Sequence, residues 1–252
     1  MSDSGTPFVS IIIPAYNEAG RLEATITELA SFLSSVPWTH EVILVIEKST
    51  DGTLKLARRL AQRMSCLEVL GHDFQRGKGC AVRAGMLRAR GEIAFFMDAD
   101  LSTPLSEMGH FLARFAEAPT VDVLVGNRQH AGSAILLRQH FLRRRMGQTF
   151  NAILRAIVGI RLSDTQCGFK AFRRAAREAI FPLQKLDGFA FDVELLLLAE
   201  RRGFNIADMP VKWRNAEGSK VRIIRDSWRM LCDAIRVRWL VAKTLAERKT
   251  VR

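Results

Sequence analysis

The sequence predicts an α/β domain, a mostly parallel sheet with helices on both faces, closed by a basic amphipathic C-terminal helix. Three observations carry that expectation. Short apolar runs alternate with helix-period segments through the first half of the chain. Those runs are apolar at successive positions, as strands buried on both faces must be. Polar, glycine- or acid-containing segments follow them, where a parallel sheet presents its carboxyl edge.

Phe8 to Ile13 reads as the first strand, ending at Pro14, and Asn17 as the cap of a helix with the stripe Leu22, Ile26, Leu29 and Leu33. Val42 to Ile46 is the second strand. A turn at Ser49-Thr50-Asp51-Gly52 leads into a helix carrying Leu54, Ala57, Leu60 and Met64. Leu67 to Leu70 is the third strand, residues 79–90 the third helix, Ile93 to Met97 the fourth strand and Val121 to Val125 the fifth. Ser102-Thr103-Pro104 reads as another helix start. The β-α-β-α order places ligands at the carboxyl strand ends.

A chain of 252 residues suffices for one large domain or two small ones. At 48% hydrophobic and 25% charged residues it is ordinary globular material. Met1 to Gly5 lacks the basic and apolar regions of a signal peptide. No uncharged apolar stretch approaches the roughly 18 residues of a membrane span. Cys66, Cys80, Cys167 and Cys232 are scattered and read as reduced cytosolic thiols. The formal charge of +12 calls for a polyanionic partner, and all of the excess lies beyond residue 127. With one tyrosine and no nucleic-acid module, phosphorylated substrates and anionic lipid are favoured over nucleic acid.

Asp98-Ala99-Asp100 is the most informative segment. Two carboxylates one residue apart, directly after an apolar strand, make an oxygen-rich nest for Mg²⁺ or Mn²⁺, which complete their shells with water and substrate phosphates. Gly77-Lys78-Gly79 before a helix brings backbone amides and a cation toward a diphosphate, with Arg76 beside Lys78 able to share that work. Glu18 reads equally as a ligand and as a first-turn helix acid.

The order Val9-Ser10-Ile11-Ile12-Ile13-Pro14-Ala15-Tyr16-Asn17-Glu18, Ser49-Thr50-Asp51-Gly52-Thr53, Gly77-Lys78-Gly79 and Asp98-Ala99-Asp100 resembles glycosyltransferase family 2, whose members share the A-type glycosyltransferase fold. Further on stand Asp164-Thr165-Gln166-Cys167-Gly168-Phe169-Lys170, Phe191-Asp192-Val193-Glu194 and Pro210-Val211-Lys212-Trp213 with Gly218-Ser219-Lys220. These are similar to the branch that glucosylates dolichyl and other polyprenyl phosphates. The resemblance covers roughly residues 8–220.

It implies a nucleotide-sugar half (1–127) and an acceptor half (128–220) in one glycosyltransferase domain (1–220), followed by the helix of 221–252. The implied donor contacts are Pro14, Tyr16, Glu18, Glu47, Lys78 and Asp98, with Asp98 and Asp100 on the metal. Glu47 stands where the family usually has an aspartate, which shifts the base. Asp164 is the implied catalytic carboxylate, beside Asp100 and Arg128. A phosphate monoester acceptor is already a dianion above its second pKa of ~6, so Asp164 need only orient the sugar or the acceptor. Arg128 is implied on the acceptor phosphate, with Lys220 on a closing loop and one of Arg138, Arg143, Arg144 or Arg145 beyond.

The implied reaction is inverting transfer of a hexose, glucose from UDP-glucose first, onto a polyprenyl phosphate. GDP-mannose as donor and a soluble phosphorylated acceptor are the alternatives. Residues 134–158 mix apolar side chains with the arginine cluster. Residues 221–246 read as a helix with Ile224, Trp228, Leu231, Ile235, Trp239 and Ala242 on one face and arginines largely on others. Such helices lie in a membrane interface, which implies peripheral attachment at the cytoplasmic face of a membrane. The alternative cover for both stretches is the domain itself or a second copy of the chain in a homo-oligomer.

Overall fold

The computed structural model describes residues 5–137, 159–160, 162–214, 233 and 235–246. Seven strands form one sheet in the order β3-β2-β1-β4-β7-β5-β8. They are β1 (Val9–Ala15), β2 (His40–Ile46), β3 (Leu67–Gly71), β4 (Ile93–Phe96), β5 (Val123–Asn127), β7 (Lys170–Arg173) and β8 (Ile206–Pro210). A separate parallel pair joins β6 (Ile135–Leu137) to β9 (Trp213–Arg214). Neighbours pair in parallel except at β7, which runs antiparallel to both β4 and β5. Residues 128–220 therefore supply strands to the same sheet as residues 1–127.

The strands alternate their burial between two layers. Ile11, Ile13, Val42 and Leu44 face a core shared with α1 (Ala19–Ser34), α2 (Thr53–Ala61) and α4 (Glu107–Glu117). Ile12, Ile43, Val45 and Phe96 face the other core, closed by α3 (Lys78–Arg88), α5 (Arg174–Ile180) and α6 (Phe191–Arg201). This two-sided burial is why the strands read as unbroken apolar runs. Fully burying one such side chain stabilises the fold by about 1.5–3 kcal/mol. Pro14 tolerates a place inside β1 because β4 pairs only as far as Phe96, opposite Ile12.

Two local expectations need correction. Asn17 does not cap α1. It sits in the left-handed region at φ 52°, and its Oδ1 accepts the Thr50 N–H at 2.8 Å. The opening amides of α1 are met instead from the neighbouring loop, Glu18 N–H by Thr53 Oγ1 and Ala19 N–H by Asp51 Oδ2. The helix after Ser102-Thr103-Pro104 begins only at Glu107, because a turn over 104–106 intervenes.

The C-terminal helix, α7, is described over 235–246. Val237, Val241 and Thr244 turn inward, the two valines joining the core built on Phe96 and Phe191. Ile235 and Trp239 stay 61% and 65% exposed, so the face selected from sequence is not packed on the domain. Lys243 lies over the Trp239 ring at 5.2 Å. Among the described residues no helix is long and apolar enough to cross a membrane.

Candidate active site at the carboxyl edge of the sheet

The parallel strands β1, β2, β4 and β5 end at one edge and deliver residues 14–18, 47–53, 98–100 and 127–128 there. Because β7 is antiparallel, its first residue rather than its last reaches that edge, with Lys170 opposite Phe96 and Val125. The segment 164–169 thereby arrives beside the acidic loop. That convergence joins the two halves of the predicted site.

Lys78 opens α3 and bonds Asp98 Oδ1 at 2.5 Å. Burial opposes its charge, yet Asp98, Asp192 and Asp100 together hold the ammonium above the ordinary lysine range. Gly168 crosses directly over Asp98, where any Cβ would collide with the carboxylate. Asp100 Oδ1 accepts the Ser102 N–H at 2.9 Å, and Leu101 between them takes the left-handed conformation at φ 50°. A leucine there is strained, and such strain gathers at functional turns. The turn is tied down by Thr25, which donates to Ala99 O at 2.6 Å, and by Arg214, which donates to Leu101 O. A cleft of about 650 Å³ opens beside Asp100, lined also by Asn17, Glu18, Arg21 and Arg214.

Two carboxylates of this kind fit a hard divalent cation. Asp98 is 39% exposed at its side chain and Asp100 is half-buried, so both can offer oxygens to such an ion. Lys78 already lends Asp98 a positive neighbour.

Arg128 follows β5 and meets Asp164 in a fork, Nε to Oδ2 at 2.8 Å and Nη2 to Oδ1 at 2.9 Å. Its backbone N–H adds a third bond to Oδ2 at 3.0 Å. Asp164 is fully buried. Burial pushes its carboxyl up, but the Arg128 charge and hydrogen bonds outweigh that and hold it below the usual carboxylate range. The guanidinium lies 5.7 Å from the Trp213 ring and keeps 30% of its side chain exposed. Asn127 next to it is fixed by Ser163 and Asp208, each accepting from its amide.

Beneath both pairs lies a buried lysine. Lys170 donates to Cys167 O at 2.7 Å and to Asp192 Oδ1 at 2.5 Å, with its ammonium over the Phe96 ring at 5.2 Å. It holds the 164–168 segment from below while Asp192 adds negative potential toward Lys78. Neither residue was given a role from sequence. The signal was present, since a lysine opening a central strand and an acid in an apolar helix start are rare unless paired.

Other predicted residues make contacts of their own within the chain. Glu47, fully buried, accepts the N–H groups of Arg76 at 3.0 Å and Gly77 at 2.8 Å, so it shapes the loop into α3. The amides of Gly79 and Cys80 turn to Asp187 O. Gly77, Gly79 and Cys80 therefore do not present backbone amides to a diphosphate, and Lys78 alone of that segment points a charge at the acidic loop. Gly77 has φ 128°, and a Cβ on it would stand 2.6 Å from Asp187 O. The glycines serve chain geometry. Glu18 pairs with Arg21 at 2.8 Å. Pro14 and Tyr16 sit half-buried at the end of β1. Arg76 is drawn away to Asp187 at 2.7 Å. Arg138, Arg143, Arg144, Arg145 and Lys220 lie outside the described residues.

An α/β sheet with a paired-carboxylate turn, a lysine on it and a buried arginine–carboxylate fork at one edge defines a sugar-transferring enzyme of the A-type glycosyltransferase fold. The model of the family Glycosyl transferase family 2 matches residues 10–181, and this chain belongs to that family. It is a nucleotide-sugar-dependent glycosyltransferase.

The chain is 33% identical over 248 residues to the dolichyl-phosphate beta-glucosyltransferase of Saccharomyces cerevisiae, covering 92% of this chain and 74% of that protein. To the Homo sapiens protein of the same name it is 32% identical, covering 87% and 71%. Among solved structures, glucosyl-3-phosphoglycerate synthase from Mycobacterium tuberculosis, in complex with Mn²⁺, UDP-glucose and phosphoglyceric acid, superposes with a TM-score of 0.68. That match has 20% identity and covers 92% of this chain and 79% of the other. Mannosyl-3-phosphoglycerate synthase from Rubrobacter xylanophilus matches with a TM-score of 0.60 at 17% identity, covering 96% and 74%. These two show the shared fold.

Proposed function

We propose that this enzyme transfers glucose from UDP-glucose to a dolichyl or other polyprenyl phosphate, with inversion and with a divalent cation at Asp98 and Asp100. One observation carries the acceptor class. Asp164 is locked by three bonds to Arg128 and held ionised, so it is a poor proton acceptor. A hydroxyl acceptor needs a base poised near the working pH, whereas a phosphate monoester arrives deprotonated. The names of the relatives supply the sugar and the lipid, and support the same reading.

Asp98 and Asp100 would hold the cation, Mg²⁺ or Mn²⁺, which would supply positive charge against a diphosphate leaving group. Lys78 adds charge from the helix side. Pro14, Tyr16 and Glu18 border the nucleotide, and Glu47 acts on it by holding the 76–77 loop. Arg128 presents its exposed edge to the acceptor phosphate, while Asp164 and Trp213 fix the guanidinium plane. Arg138 and Lys220 add charge to the same dianion. The domain is one unit over 1–220, and 221–252 attaches it to the cytoplasmic face of a membrane. The outward Ile235 and Trp239 support that attachment.

The test incubates the full chain with a panel of UDP- and GDP-sugars, Mg²⁺ or Mn²⁺, and polyprenyl phosphate. The reading expects glucose from UDP-glucose to reach the lipid phosphate in β linkage. Transfer of mannose from GDP-mannose, or transfer only to a soluble phosphate, would replace it.

A further inference from the structure

We propose that Glu47, His72 and Cys80 form a second cation site, suited to a borderline-soft divalent ion of the zinc class and distinct from the Asp98–Asp100 pair. The three residues come from the end of β2, the turn after β3 and the first helical turn of α3. One ligand atom from each lies within 4.8 Å of the others. Oxygen, nitrogen and sulfur donors together are a zinc-type set, whereas Mg²⁺ and Mn²⁺ prefer oxygens alone. Among the described residues this is the one His/Cys/Asp/Glu group of three so assembled.

A second observation points to a ligand. The Nδ1 atom of His72 is buried and has no hydrogen-bond partner, although buried ring nitrogens are ordinarily satisfied. The imidazole is held in place around that atom. Its backbone N–H donates to Ile46 O at 2.8 Å, and the Phe74 ring stacks on it at 4.7 Å and 21°. Glu47 is likewise oriented from behind by the Arg76 and Gly77 amides, the kind of outer support that metal-binding carboxylates receive. Burial, reinforced by Asp187, pushes the Cys80 thiol up, so it carries its proton until a cation displaces it. Three protein ligands leave a fourth position for water. An ion there would tie the end of β2 to the loop that carries Lys78.

Binding is tested without donor or acceptor, so its outcome is separate from that of the transfer reading. The metal-free, reduced full chain is titrated with Co²⁺ and followed by absorption, with circular dichroism to confirm the fold. One equivalent should produce a thiolate-to-cobalt charge-transfer band. Zn²⁺ should remove it stoichiometrically, and a hundredfold excess of Mg²⁺ should not. Cys80→Ser should abolish the band, His72→Gln should weaken Co²⁺ binding at least tenfold, and Asp100→Asn should leave the band unchanged. A folded protein without the band, a band persisting in Cys80→Ser, or loss of the band in Asp100→Asn would overturn the proposal.

Discussion

Arg128 and Asp164 share a two-pronged ion pair, 2.8 and 2.9 Å, in which the Arg128 side chain stays 30% exposed. The pair lies next to the segment that presses Gly168 on Asp98, and Asp98 is itself bonded to Lys78. Two cation–carboxylate pairs therefore stand at one sheet edge, the first assigned to the acceptor and the second to the donor and metal. Their order in space follows from β7, which enters the sheet antiparallel between β4 and β5.

Because three bonds join Asp164 to Arg128, the two should behave as one unit in kinetics. Arg128→Ala should raise KM for the lipid phosphate and leave UDP affinity within about twofold. Asp164→Asn should lower turnover by orders of magnitude, since it keeps the shape but leaves a cation without its counter-charge. Arg128 is partly exposed, so the stability cost is about 2 kcal/mol rather than the 3–5 kcal/mol of a fully buried pair. The double variant should be little worse than either single one, a non-additivity that a mutant cycle measures directly.

The depressed Asp164 pKa also has a sign in the pH profile. A group already ionised throughout the accessible range contributes no acid limb between pH 5 and 8. The acid limb of kcat/KM should instead follow the acceptor phosphate, near ~6, and move when the acceptor is changed. A limb that stays fixed across acceptors would assign it to the protein.

Metal removal should act on the other pair. EDTA should abolish transfer, and Asp100→Ala should cost orders of magnitude in rate while leaving the melting temperature nearly unchanged, because Asp100 is half-buried and makes one backbone bond. Near-normal turnover of Asp100→Asn in metal-free buffer would contradict the assignment.

Glu194 predicts a pH-dependent stability unrelated to catalysis. Burial raises its carboxyl to about 7, against the backbone bonds from Leu186 and Lys185 that favour the charge. The folded state therefore holds a proton that the unfolded chain releases near its ordinary value of 4.5. The stabilisation is full below pH 4.5 and fades as pH rises to about 7, by up to about 3 kcal/mol. Glu194→Gln should flatten that slope in urea melts recorded across the range.

The first half of the fold was legible because β1, β2, β4 and β5 are buried on two faces and their helices carry apolar stripes. From Val9 to Val125 the apolar pattern alone located five strands. β7 and β8 escaped because Lys170-Ala171-Phe172-Arg173 and Ile206-Ala207-Asp208 are short and partly charged, and their pairing is non-local. Asp98, Asp100, Lys78, Arg128 and Asp164 were legible as candidates, and the fold brings them to one sheet edge. That Arg128 and Asp164 bond each other was not, since 36 residues separate them and only the antiparallel β7 closes the distance. Glu47 was read as a base contact, and its backbone bonds to Arg76 and Gly77 depend on a turn that no local pattern announces. The Asn17 cap failed for a similar reason, because Asp51 and Thr53 reach it from another loop.

The central claim is that the acceptor arrives as an anion and needs no base. It is tested most directly by offering the full chain UDP-glucose and Mg²⁺ with a polyprenyl phosphate and, in parallel, the parent polyprenol of the same chain length. Glucose should pass to the phosphate and at least a thousandfold more slowly to the alcohol. Comparable rates on both acceptors would contradict it, and would require Asp164 to leave Arg128 and act as a base.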